Sequence, residues 1–195
     1  APVLVLDPAD QAGAAFGSAV VLADFTGDGL IDLAVAAPGF DAQFADEGRV
    51  YIFPGERDLL ENPILSAVPA VTIDPADQAA ARFGAALAAG DLDGDGRADL
   101  AAGAPGFDAE APAEGRVYAF RLTAVPGGIQ ETLLTALDPA NQAGAEFGSA
   151  LALGDLNGDR RADLAVGAPL ADGPGADEGH VHHFLTAAGI AQPPA

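Results

Sequence analysis

The chain's 195 residues suit one compact domain or a set of small repeats. A net charge of −21, with all eight basic residues arginine and no lysine, excludes nucleic acid and anionic membrane surfaces as natural partners. The lack of cysteine excludes a disulfide framework, and no apolar run reaches membrane-spanning length. Half of the residues are hydrophobic, so a core is available, but aromatics are few and alanine is abundant, so packing must be close and small-grained. With 25 glycines and 15 prolines the chain is punctuated too often for long helices. The acidic excess is compatible with a salt-rich habitat, where screening weakens self-repulsion, and equally with a biased genome. Ala1-Pro2 opens the chain without the features of a signal peptide.

Residues 3–6 form a short apolar run that leads into Asp7-Pro8-Ala9-Asp10-Gln11. Phe16-Gly17 precedes a strand-like run, 19–25, which enters an acidic loop at residues 24–32. A second run, 30–36, stops at Ala37-Pro38, because proline cannot continue a ladder. Glu47-Gly48-Arg49-Val50 opens a third run, 49–53, in which Val50 and Ile52 alternate with Tyr51; residues 71–73 form a fourth. The same markers then return. Phe16-Gly17 recurs as Phe83-Gly84 and Phe147-Gly148, after 67 and then 64 residues, and every other marker keeps that step. Four short antiparallel strands per repeat predict the blade of a β-propeller, an all-β fold. An Ala-rich helix at 85–89 is the competing reading, but five residues between Gly84 and Gly90 are too few to nucleate one. The predicted repeats run over about 13–74, 80–138 and 144–195, within one domain of residues 1–195. The last stops after its third strand, 181–184, and residues 1–7 align with the missing fourth.

The acidic loop carries the chemistry. Oxygen side chains fall at its positions 1, 3, 5 and 9: Asp24, Thr26, Asp28 and Asp32; Asp91, Asp93, Asp95 and Asp99; Asp155, Asn157, Asp159 and Asp163. Alternating oxygens on a glycine-loosened chain fold around one hard cation, and calcium accepts six to eight oxygens in irregular geometry. Asp-Gly runs also make plain solvated turns, but three matched copies favour the cation. An EF-hand opens in the same way but needs a bidentate Glu at position 12 and a helix on each side. Position 12 here is Val35, Ala102 and Val166, and the flanking apolar runs are short.

Phe-Gly, an Asp-rich loop and Gly-Ala-Pro together resemble FG-GAP repeats, as in the β-propeller of integrin α subunits. Repeat two carries Phe83-Gly84, Asp91 to Asp99 and Gly103-Ala104-Pro105; repeat three carries Phe147-Gly148, Asp155 to Asp163 and Gly167-Ala168-Pro169. The resemblance implies up to three Ca²⁺ per chain, held by the side chains at positions 1, 3, 5 and 9 and by the position-7 carbonyls of Leu30, Arg97 and Arg161. It also implies a non-catalytic adhesion or recognition module, extracellular or on the cell surface, that binds protein or glycan. Two rival readings remain: an accessory domain of a larger extracellular hydrolase, and a purely structural self-assembling unit. Repeat one departs from the pattern with Thr26 at position 3 and Ala36 before Ala37-Pro38; repeat three has Arg160 at position 6, where glycine is expected. The middle loop has the fullest ligand set. Three blades are too few for a normal ring of four to eight. Strand exchange between chain ends, in a homodimer of six blades, would close one and hide both edges. A piece of a longer propeller and a three-blade closure are the alternatives.

Other residues carry blander readings. His180 and His182 share a strand face, with His183 beside them, but they replace Arg49 and Tyr51 of an ordinary third strand. Phe16, Phe83 and Phe147 read as core anchors, and Arg49 and Arg116 as solvated or paired charges. The acidic segments 39–47, 106–114 and 170–178 are candidate partner surfaces or spacers. Ser18, Ser66 and Ser149 have no recognisable histidine partner, so no catalytic set emerges.

Overall fold

The computed structural model describes residues 4–7, 11–138 and 142–186. Strands β1 (Val20–Ala23), β2 (Asp32–Ala37) and β3 (Arg49–Phe53) are joined by β6 (Val71–Ile73) in an antiparallel sheet of order β1-β2-β3-β6. A small hairpin, β4 (Gly55–Arg57) with β5 (Pro63–Leu65), lies between β3 and β6 in sequence. The second sheet runs β7 (Ala86–Gly90), β8 (Asp99–Ala104), β9 (Arg116–Val125), β10 (Gly128–Leu137). The third has β11 (Ala150–Gly154), β12 (Asp163–Ala168) and β13 (His180–Phe184). The third run of repeat one falls where the sequence places it, and the first two lie within a residue or two of their expected bounds. Residues 86–89 lie in strand β7, and no helix forms at 85–89.

The central strands β2, β8 and β12 are buried along most of their length; β8 is buried throughout, whereas β12 alternates from Leu164 to Ala168. Among the described residues only β8 of these lies between two neighbouring sheets, so small apolar residues fill both of its sides. Phe25, Val50, Ile52 and Ile73 of the first sheet share one core with Phe83, Leu100 and Tyr118 of the second. Val117 and Leu137 share another with Phe147, Leu164 and Val166 of the third. The innermost strands β1, β7 and β11 stand side by side. The result is a propeller-like arc of three blades, and no closed sheet is present among the described residues.

Two glycines explain how closely the blades approach. A Cβ on Gly103 would lie 2.0 Å from the Gly148 carbonyl oxygen of the next blade. A Cβ on Gly115 would lie 2.1 Å from the Phe147 carbonyl oxygen, and its φ of +89° is one that side chains avoid. Ala36 stands where Gly103 stands, and its methyl group lies against Gly84, where an added Cβ would come within 2.9 Å of it.

The blades differ from one another at two places. The third sheet has three strands, because within one chain residues 4–7 form no strand and Leu6 packs on the first blade beside Ala14 and Phe16. Residues 1–3, the rest of that expected strand, lie outside the described residues. The second blade is also not a plain copy of the first: β9 and β10 reach ten residues each, where β3 has five and β6 three.

Candidate metal centre

The three loops between first and second strands fold alike. Position 1 organises each from inside. Asp24 accepts hydrogen bonds at Oδ1 from the amides of Gly27 (2.6 Å) and Asp28 (3.2 Å), and at Oδ2 from Gly29 (2.9 Å). Asp91 accepts the matching set from Gly94, Asp95 and Gly96, and Asp155 from Gly158, Asp159 and Arg160. Position 5 caps position 7: the amides of Leu30, Arg97 and Arg161 donate to Asp28, Asp95 and Asp159 at 2.8, 2.9 and 2.9 Å. The turn needs a left-handed residue at position 6, where Gly29 has φ 83° and Gly96 87°. Arg160 takes φ 73° there, so repeat three carries the strain expected from its sequence.

Position 9 is the buried end of each loop. Asp32, Asp99 and Asp163 are almost wholly shielded from solvent. Asp32 Oδ1 accepts from the Gly55 amide at 2.8 Å, and Asp163 Oδ1 from the Thr186 amide at 2.9 Å. Asp99 Oδ1 has no hydrogen-bond partner. Blade architecture is the reason. After β3 the chain turns away at Pro54 and frees the Gly55 amide, whereas β9 runs on and holds Leu122, the counterpart of Gly55, opposite Glu131 in the ladder. Burial pushes the Asp99 carboxyl up to about 7; the Leu92 amide opposes this, and repulsion from Asp95 and Asp91 adds to it. Burial raises Asp32 too, against hydrogen bonds from Gly55, Thr26 and Phe25. At Asp163 burial acts the same way, but hydrogen bonds from Thr186 and Leu156 outweigh it and hold the carboxyl below its ordinary range.

The middle loop brings three carboxylates together: one oxygen from each of Asp91, Asp93 and Asp99 lies within 4.8 Å of the others. Two oxygens bound to one calcium at 2.3–2.6 Å are at most about 5 Å apart, so the spacing fits one such ion. The free Asp99 Oδ1 fits as well, since a buried oxygen without a donor calls for a cation. In the first loop Thr26 Oγ1 is likewise buried without a partner. In the third, the Asn157 amide nitrogen donates to Asp159 Oδ2 at 3.1 Å. Arg121, at the start of the β9 extension, pairs with Asp93 and lies with Nε 3.6 Å from Asp95 Oδ2. Sequence reasoning passes over it; its only signal is that it comes directly after the third-strand Phe120, where Pro54 and Leu185 come after Phe53 and Phe184.

The loops are also joined in series. Position 2 plugs the gap to the next blade: Phe25 is 0% exposed and Leu92 1%, whereas Leu156, after which no further blade is described, is 64% exposed. The position-8 amides of Ala98 and Ala162 donate to the carbonyls of Asp24 and Asp91 in the preceding loop, at 3.3 and 2.6 Å. The stems of Arg97 and Arg161 cover Gly27 and Gly94 of that loop, where an added Cβ would come within 2.6 and 2.8 Å of the arginine Nε.

The remaining candidates resolve into structure. Arg49 and Arg116 pair with Asp74 and Asp138 and lie over the Phe40 and Phe107 rings, each 4.1 Å from the centroid. His182 packs edge-on against Phe147 at 5.3 Å, as Tyr51 does against Phe16 and Tyr118 against Phe83; burial, then His180, lowers its pKa. The acidic segments are internally tied. Gln11, Gln78 and Gln142 accept from the amides of Asp41, Asp108 and Asp172, and buried Glu47 and Glu114 accept from amides of their own segments.

FG-GAP repeats match this chain at residues 16–53, 83–120 and 147–184. The chain belongs to the FG-GAP repeat family. Each match runs from the Phe-Gly pair to the third-strand phenylalanine, Phe53, Phe120 or Phe184, so it takes in one acidic loop apiece. Human phosphatidylinositol-glycan-specific phospholipase D is 33% identical over 184 residues, covering 89% of this chain and 21% of that protein. Integrin alpha-4 of Xenopus laevis is 33% identical over 173 residues, 82% of this chain and 15% of its own length. Human integrin alpha-E is 36% identical over 173 residues, 81% and 14%. The chain thus spans about a fifth or less of the relatives it matches. An integrin-like repeat and an accessory domain are both compatible with that similarity.

Proposed function

We propose that this chain is a non-catalytic, calcium-stabilised recognition module of integrin-like propeller type, working outside the cell or at its surface. The observation that carries the reading is the middle loop, with the converging Asp91, Asp93 and Asp99 oxygens and the unpartnered, buried Asp99 Oδ1. The side chains at positions 1, 3, 5 and 9 of each loop, with the position-7 carbonyls of Leu30, Arg97 and Arg161, would hold one ion. The ion supplies fixed positive charge and no chemistry of turnover. What it fixes is the loop whose position-2 side chain and backbone tie one blade to the next. Blade faces then present a stable surface to a protein or glycan. Calorimetric titration with calcium, beside melting in calcium and in chelator, tests this: heat from up to three sites and a lower Tm in chelator are expected, and no heat with an unchanged melt refutes it.

We further propose that two chains close a six-bladed ring. Residues 4–6 match β6 by the repeat step, which would set Leu6, Val5 and Leu4 opposite Val181, His182 and His183 of a second copy. The Arg49–Asp74 pair would then be replaced by His180 facing Asp7. A mass near twice 19.3 kDa by light scattering supports the ring, and a monomer at all concentrations overturns it. The similarity to a phospholipase D favours a second reading, an accessory domain of a larger extracellular hydrolase; hydrolysis that survives loss of the loop aspartates would support it.

A further inference from the structure

The middle loop already contains a cation of its own. The Arg121 guanidinium pairs with Asp93 and lies beside Asp95, two of the four side chains expected to meet an ion there. It reaches them from the same blade, because the β9 extension places Arg121 where the first blade has Pro54. Asp93 Oδ2 and Arg121 Nε are both shielded from water, so the pairing is little screened by salt. The same extension removes the amide that would satisfy Asp99 Oδ1. One change of strand length therefore leaves one carboxylate oxygen without a donor and delivers a competitor to another aspartate of the loop.

We infer that Arg121 is a tethered counter-cation that competes with a divalent ion for Asp93 and Asp95, so that ion binding in the middle loop requires the guanidinium to leave. This rests on the reading of the loops as cation sites. The middle loop, with the most carboxylates, is then not the tightest site in proportion to its charge. It is the loop whose aspartates stay partly neutralised when calcium falls. In the other two loops the described residues show no such arginine: the residues next after the third-strand phenylalanine are Pro54 and Leu185.

Each loop has its own reporter, which makes the test specific. Amide NMR of the full chain during calcium titration tracks Gly29 in the first loop, Gly96 in the second and Gly158 in the third. Arg121→Gln should tighten the calcium response at Gly96 by roughly two- to fivefold, the worth of a partly exposed ion pair, and leave Gly29 unchanged. Arg121→Lys keeps the charge but not the fork and should fall between. Equal or weaker binding at Gly96 in Arg121→Gln, with Gly29 and Gly158 still titrating, overturns the competition alone. Silence at all three glycines overturns the cation reading itself.

Discussion

Leu92→Ala isolates what position 2 of the loop does for the fold. Leu92 is 1% exposed and packs with Ala119 of its own blade and Ala162 of the next, with Leu134 and Leu153 against them. Truncation removes three carbons from a site in which Ala119 and Ala162 cannot move into the gap and only Leu134 and Leu153 can partly refill it. Buried Leu→Ala changes cost 2–5 kcal/mol, and the stiff surroundings place this one at about 3 kcal/mol. For a chain of this size that lowers Tm by roughly 6–12 °C. The control is built into the chain: Leu156 holds the same loop position but is 64% exposed, so Leu156→Ala should fall within about 0.5 kcal/mol in dilute monomer. Urea unfolding of both variants by circular dichroism, in saturating calcium, supplies the comparison. A Leu92→Ala loss under 1 kcal/mol, or equal losses for the two in monomer, refutes the idea that position 2 ties blade to blade. At concentrations where a six-bladed dimer forms, Leu156 gains a neighbour, and its truncation should then weaken dimerisation in light scattering.

The same geometry yields other outcomes. Chelator should lower Tm, since an ion bound only by the folded chain adds about 2.7 kcal/mol at one hundred times its Kd for each site. In chelator, stability should fall between about pH 4 and 7, because the folded-state pKa of Asp99 is raised to about 7. The folded state there holds a proton that the unfolded chain releases near pH 4, so the contribution is full below that pH and lost by pH 7. Asp99→Asn should flatten that slope in urea midpoints taken across the window. Arg160→Gly should stabilise the protein by about 0.5–1 kcal/mol by relieving a φ of 73°, and a lower urea midpoint would contradict the strain. Gly103→Ala should cost more than 3 kcal/mol or prevent folding, because its Cβ would meet the Gly148 carbonyl at 2.0 Å.

The repeat markers made the blades and loops legible, because each marker answers a local demand. Phe83 and Phe147 fill the seam with the preceding blade, and Gly103 and Gly115 let its backbone come close. The left-handed turn at position 6 was legible in the same way, down to the strained Arg160. Features set by a partner far along the chain were not. The β4–β5 hairpin uses three-residue strands, one beginning with a proline, and leaves no periodic trace. The extension of β9 reads as a loop around Gly127-Gly128, and nothing local says that Arg121 will reach back to Asp93. The aspartate pattern gives the likeness of three sites, but not their inequality. That comes from the second oxygen of position 9, which meets Gly55, nothing, or Thr186 according to the path the chain takes beyond the third strand.

That inequality bears on how an ion in one loop is felt in another. The position-7 residue has two attachments. Its amide is held by position 5 of its own loop, and its side chain, where it is arginine, lies across position 4 of the loop before. The next amide, at position 8, donates to the position-1 carbonyl of that same preceding loop. An ion that ordered the third loop would therefore fix Arg161 and Ala162 against Gly94 and Asp91, and so restrain the middle loop before any ion entered it. The middle loop would do the same to the first through Arg97 and Ala98. Restraint passed this way lowers the entropy that the next ion must remove, which is positive coupling without a change of shape. Asp159→Ala, which removes the acceptor for the Arg161 amide, should then weaken calcium binding at Gly96 as well as at Gly158 in the NMR titration. If the Gly96 curve is unmoved while the Gly158 curve is lost, the loops are independent and the contacts between them serve packing alone.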